Sequence, residues 1–149
     1  MPIDLAASLA RSLNSALGMW AKDLPAFSPE DLVRRPGGKA RSAADIAYEI
    51  VQENAASAKM LRGEDPGPYP GFPVCPPEMA NTENLLAAIE ASVAEILAAI
   101  GDPEREIQTP DGPMTAFAHA TFVKFHMDYH VGQLNLLHTL YGDAKIHWH

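Results

Sequence analysis

Four stretches of this chain repeat apolar residues at steps of three and four, and prolines and glycines fall between them. Any core it builds must therefore be made from helix faces. The first stretch, 3–22, sets Leu5, Leu9, Leu13 and Leu17 on one line, with Ile3, Ala6, Ala10 and Trp20 beside it. Ser28, with Asp31 three residues on, can cap one short turn before Pro36-Gly37-Gly38 breaks it. Ser42 is placed to cap a second helix over 43–62 that stops at Gly63. The connection 63–80 holds six prolines and is mostly non-helical. From the cap residue Thr82, a third helix carries Leu85, Leu86, Ile89, Val93, Ile96, Leu97 and Ile100 as far as Gly101. The fourth, about 114–141, follows "PDGP" and reads Phe117, Phe122, Phe125, Tyr129, Leu136, Leu137 and Leu140 as its apolar residues, stopping at Gly142. No segment alternates as a strand does. The expected fold is all-α, a four-helix bundle in which 23–42 and 63–80 are long crossover connections.

At 149 residues the chain is expected to form a single domain, 1–149. Its net charge of −8 and the lack of a basic stripe argue against nucleic acid or an anionic membrane as a partner. No apolar run reaches the length of a membrane span, and the amphipathic N-terminus does not read as a signal peptide, so a cytoplasmic location is the expectation. A lone cysteine, Cys75, excludes an intramolecular disulfide and any CxxC motif.

The inward faces carry residues that do not belong in an apolar core. His126 and His130 lie one turn apart on helix four, and Glu49 and Glu53 interrupt the stripe of helix two at the same spacing. Buried imidazoles and carboxylates need partners. A divalent cation between the helices satisfies them together; a metal-free Glu–His hydrogen-bonded core is the alternative. Two imidazoles and one carboxylate leave coordination positions open, as catalytic centres do. Gln133 is placed to hydrogen-bond a buried group beside the pair, and Gly132 reads as a close approach to a neighbouring helix. Asp128 points away from the pair and reads as solvated. Tyr48 and Tyr129 flank the proposed ligands and read first as packing, though a phenol there can also orient substrate. His119 and His138 read as packing or surface residues, and the tail "KIHWH" as exposed histidines around a packing Trp148, able to bind metal adventitiously.

The run His126-Met-Asp-Tyr-His130-Val-Gly-Gln133 resembles the HxxxHxGQ signature of the DinB/YfiT-like superfamily of metal-dependent proteins, and "RSAADIAYEIVQENAASAKMLRG" is similar to that family's second helix. The resemblance implies a DinB-type bundle whose metal is held by His126, His130 and a third ligand from helix two. The family's usual histidine there is replaced by Glu49, with Glu53 one turn on as the other candidate. A carboxylate lowers the site's charge by one and acidifies bound water less than a third imidazole does. The implied cofactor is a divalent ion, zinc, nickel, manganese or iron. The implied activity is transferase or hydrolase-like chemistry on a small molecule, with a low-molecular-weight thiol or water as the activated partner and Glu53 as a catalytic base. Also implied is a homodimer, for which the outer faces of helices one and three are apolar enough. A noncatalytic stress-associated or ligand-binding bundle is the competing function.

Overall fold

Asp4 opens α1 (Leu5–Asp23) by accepting the Ala7 N–H on its carboxylate. The computed structural model, which describes residues 3–148, buries Leu9, Leu13, Ala16 and Trp20 from this helix and leaves Leu5 and Leu17 at its margins. A 3₁₀ turn at Leu24–Ala26 leads to α2 (Pro29–Val33), whose first turn is capped by the Ser28 hydroxyl. Helix α3 (Ala43–Arg62) begins with a reciprocal cap. Ser42 Oγ accepts the Asp45 N–H, and the Asp45 carboxylate accepts the Ser42 N–H. It ends at Gly63, whose φ of +77° lets its N–H turn back to the Lys59 and Met60 carbonyls. Helix α4 (Thr82–Ala99) is capped by Asn81 rather than Thr82, its side chain accepting the Asn84 N–H.

Between α4 and the last helix lies a hairpin that the sequence reading did not admit. Strands β1 (Glu106–Thr109) and β2 (Gly112–Thr115) pair antiparallel with Ile107 opposite Met114, closed by Pro110-Asp111, with Gly112 at φ +108°. Each strand has four residues and only Ile107 is buried, too little alternation to register as a strand. Helix α5 (Ala116–Leu140) therefore starts two residues later than expected, under the Thr115 cap.

Helices α1 and α3 each pack on both α4 and α5, so the four long helices close a bundle around one apolar core. The Trp20 indole N–H donates to the Met127 carbonyl (3.2 Å) and ties α1 to α5. The Arg105 guanidinium donates to the Ala99 (3.0 Å) and Ile100 (3.2 Å) carbonyls of α4 and to the Leu61 carbonyl of α3, capping two helix ends at once.

The inner face of α5 corrects the sequence reading. Val123, Met127, His130, Val131, Leu134, Leu137 and His138 are buried, whereas Phe122, Phe125, Tyr129, Leu136 and Leu140 are each more than half exposed. Apolar residues occur almost all round this helix, so periodicity could not select the face. Ala116 and Ala120, small enough for close packing, mark it. Among the described residues the large exposed apolar side chains are mostly on α5 and in 69–74, with Ile3, Val33 and Ile146 apart from them, and none is within α1 or α4. Among the described residues no helix is long and apolar enough to cross a membrane.

Candidate metal centre

Helices α3 and α5 bring Glu49, His126 and His130 together. Glu49 Oε1 lies 3.6 Å from His126 Nε2 and 3.5 Å from His130 Nε2, and the two ring nitrogens are 2.9 Å apart. Each residue offers one ligand atom within 4.8 Å of the other two. Glu49 and His130 are buried, while His126 sits at the rim of α5 and is partly exposed.

The Gln133 Oε1 atom, a pure acceptor, takes the His130 Nδ1–H at 2.7 Å, and the Gln133 amide donates to the Tyr129 hydroxyl at 3.1 Å. This fixes the tautomer and leaves the His130 Nε2 lone pair facing Glu49 and His126. Burial pushes His130 down to about 4, Gln133 opposing, and burial likewise pushes His126 below the usual histidine range against the pull of Glu53. Both imidazoles are thus neutral at pH 7, the form that binds metal. Two neutral nitrogen donors and a carboxylate at this separation fit a divalent ion of borderline softness.

Glu53, one turn further along α3, stands outside the three-atom cluster. It is half-buried and its Oε1 has no hydrogen-bond partner. Desolvation raises its pKa, with His126 and His130 pulling the other way.

Nothing in the sequence pattern marks Arg41. Its guanidinium pairs with Glu49 Oε2 and lies over the Phe72 ring, 4.8 Å from the centroid. It supplies positive charge where a metal would, so an ion must share or displace it. That contact depends on the path of 34–42, which no periodicity specifies. Arg41, Lys39, Tyr69, Phe72, Tyr129 and Leu136 line a cleft of about 560 Å³ that reaches Glu49 and both histidines.

Other expected residues fall as follows. Tyr129 is exposed and lines the cleft, while Tyr48 packs against the core. Asp128 is half-buried rather than solvated; it pairs with Lys124 through Oδ2 and leaves Oδ1 without a partner. Gly132 is exposed, and a Cβ built on it meets nothing within 4 Å, so no neighbouring helix requires the glycine. His119 is buried. Cys75 is buried too, and its thiol is pushed up to about 11 by desolvation, then by Asp45 and Glu78, which makes it a poor nucleophile.

No family model and no curated protein matches the chain. In three dimensions it is similar to a crystal structure from Exiguobacterium sibiricum 255-15, assigned provisionally to the DinB family, with a TM-score of 0.71 and 19% identity over 95% of each chain. At that identity the likeness establishes a DinB-like helical fold.

Proposed function

We propose that this DinB-like bundle is a metal-dependent enzyme in which Glu49, His126 and His130 hold a divalent ion (zinc, nickel, manganese or iron) at the floor of the cleft. The observation that carries the reading is the convergence of three ligand atoms from two helices beneath an open cleft, with His130 already oriented by Gln133. Bound there, the ion acts as a Lewis acid toward a thiol or water. A thiol suits this donor set better. Glu49 in place of a neutral ligand weakens the acidification of water, whereas a thiol ionises near pH 8.5 unaided.

The chain's own groups divide the remaining work. Arg41 and Lys39 at the cleft favour an anionic group on the small-molecule substrate, and Phe72, Tyr69 and Tyr129 offer it aromatic surface. Glu53, its carboxyl raised by burial beside the imidazoles, accepts a proton as the general base. The reaction class is transferase or hydrolase-like.

The test is elemental analysis of tag-free protein with circular dichroism. The His126→Ala/His130→Ala double variant is expected to lose one equivalent of metal per chain and keep its helical spectrum. Activity toward low-molecular-weight thiols and electrophilic acceptors should depend on that equivalent.

The Arg41–Glu49 pair favours a second reading, a noncatalytic ligand-binding bundle whose polar core is satisfied without metal. Arg41→Ala separates the two. It frees Glu49 and tightens metal binding under the first reading; under the second it only lowers stability, and the parent protein binds no metal that the His126→Ala/His130→Ala variant fails to bind.

A further inference from the structure

Two turns past His130, α5 carries another buried imidazole, His138, and the chain folds back upon it. Gly142, at φ +94°, reverses the backbone, and the Asp143 N–H donates to the His138 carbonyl at 2.8 Å. Asp143 Oδ1 accepts the Lys145 N–H (3.0 Å), which leaves Oδ2 to meet His147 Nε2 at 2.9 Å. The His147 ring centroid lies 4.8 Å from that of His138, and Phe27 stacks on His138 at 3.7 Å, holding its ring in place. His138, Asp143 and His147 thereby each offer a ligand atom within 4.8 Å of the others.

A second carboxylate lies beside the cluster, from α1. Asp23 is fully buried; its main-chain carbonyl accepts the His138 Nε2–H at 3.1 Å, which leaves Nδ1 as the lone pair of the neutral ring, and its Oδ2 accepts the Asn135 amide at 2.8 Å, while Oδ1 has no hydrogen-bond partner and lies 4.0 Å from His138 Nε2. An orphaned carboxylate oxygen in a core is among the costlier features a fold can keep, and a cation removes the cost. Two imidazoles and one carboxylate are a donor set for zinc or a neighbouring transition ion, and a second carboxylate beside them adds to the negative charge that draws a cation.

We propose that His138, Asp143 and His147 form a second metal site, independent of the cleft, in which a zinc-like ion staples the C-terminal segment to α5 and the buried Asp23 carboxylate of α1 supplies countercharge beside it. The role is structural. The site draws on both ends of the sequence, and its ion fixes the tail that carries Trp148 against the bundle.

The experiment uses tag-free His126→Ala/His130→Ala protein, so that the cleft contributes nothing, titrated with Zn²⁺ by calorimetry. One equivalent is expected to bind, and His147→Gln and Asp143→Asn, both in the C-terminal segment beyond α5, should each weaken binding by about tenfold or more. Zinc should also slow digestion of the tail by carboxypeptidase Y in the parent but not in His147→Gln. No binding in the parent overturns the proposal. So does binding that Asp143→Asn leaves unchanged, which identifies adventitious capture by tail histidines alone. Full affinity in a folded Asp23→Asn protein overturns the countercharge role of Asp23.

Discussion

At His130 burial and ligand chemistry make the same demand, a neutral ring. Burial holds its pKa at about 4, against 6.5 for a free imidazole. As pH falls through that window the unfolded chain takes up a proton that the folded chain refuses. The stability associated with the neutral ring is therefore complete above pH 6.5 and is lost on approach to 4, by about 3 kcal/mol. Glu53 and Asp23 act with the opposite sign, since their raised carboxyls hold protons more tightly when folded and offset part of that loss. Urea midpoints measured with chelator present are expected to fall between pH 6.5 and 4.5, and His130→Gln should flatten the fall. A second residue-scale expectation concerns Cys75. Its thiol remains protonated until about pH 11, so iodoacetamide at pH 8 should modify native protein far more slowly than urea-unfolded protein. Glu49 is legible in the sequence because it breaks the apolar stripe of α3, and His126 and His130 by their one-turn spacing. Arg41 does neither, lying in a loop ahead of the cap of α3, and so escapes notice.

Elements were legible where local chemistry sets their ends. The limits 43–62 for α3 follow from Ser42, Asp45 and Gly63, each of which forms the hydrogen bonds its residue type favours. The hairpin and the rotation of α5 depend on what packs against them, and sequence pattern carries little of that. Arg105 is an example: its place between two helix ends makes it a structural keystone, though in sequence it is one more charged residue before a strand. Arg105→Ala leaves the Leu61, Ala99 and Ile100 carbonyls without this donor, and a loss of about 2–4 kcal/mol in chemical denaturation is expected. Gly132→Ala should act in the other direction. Its site on α5 is helical, exposed and open, so the substitution is expected to add about 1 kcal/mol and raise the melting temperature.

Taken whole, the molecule presents an apolar line along an otherwise acidic surface. Phe122, Phe125, Tyr129, Leu136 and Leu140 run along one side of α5 for about 27 Å, and Tyr129 and Leu136 also form part of the cleft wall. So long an exposed apolar line on a folded domain is a candidate contact surface. A second copy of this chain, laying its own α5 across the first about a two-fold axis, would cover both lines with a single self-complementary contact. Such a homodimer would use the outer side of α5, not of α1 and α4, and would bring the partner's bulk to the mouth of each cleft. With −8 on each chain, its formation opposes like-charge repulsion and should strengthen as salt screens it. Light scattering after size exclusion is expected to show a concentration-dependent dimer whose dissociation constant falls with added salt. Phe125→Glu places a charge in the middle of the line without touching the core, and should give a monomer with an unchanged helical spectrum. Parent protein that stays monomeric at every concentration and salt level tested would rule out this use of the surface.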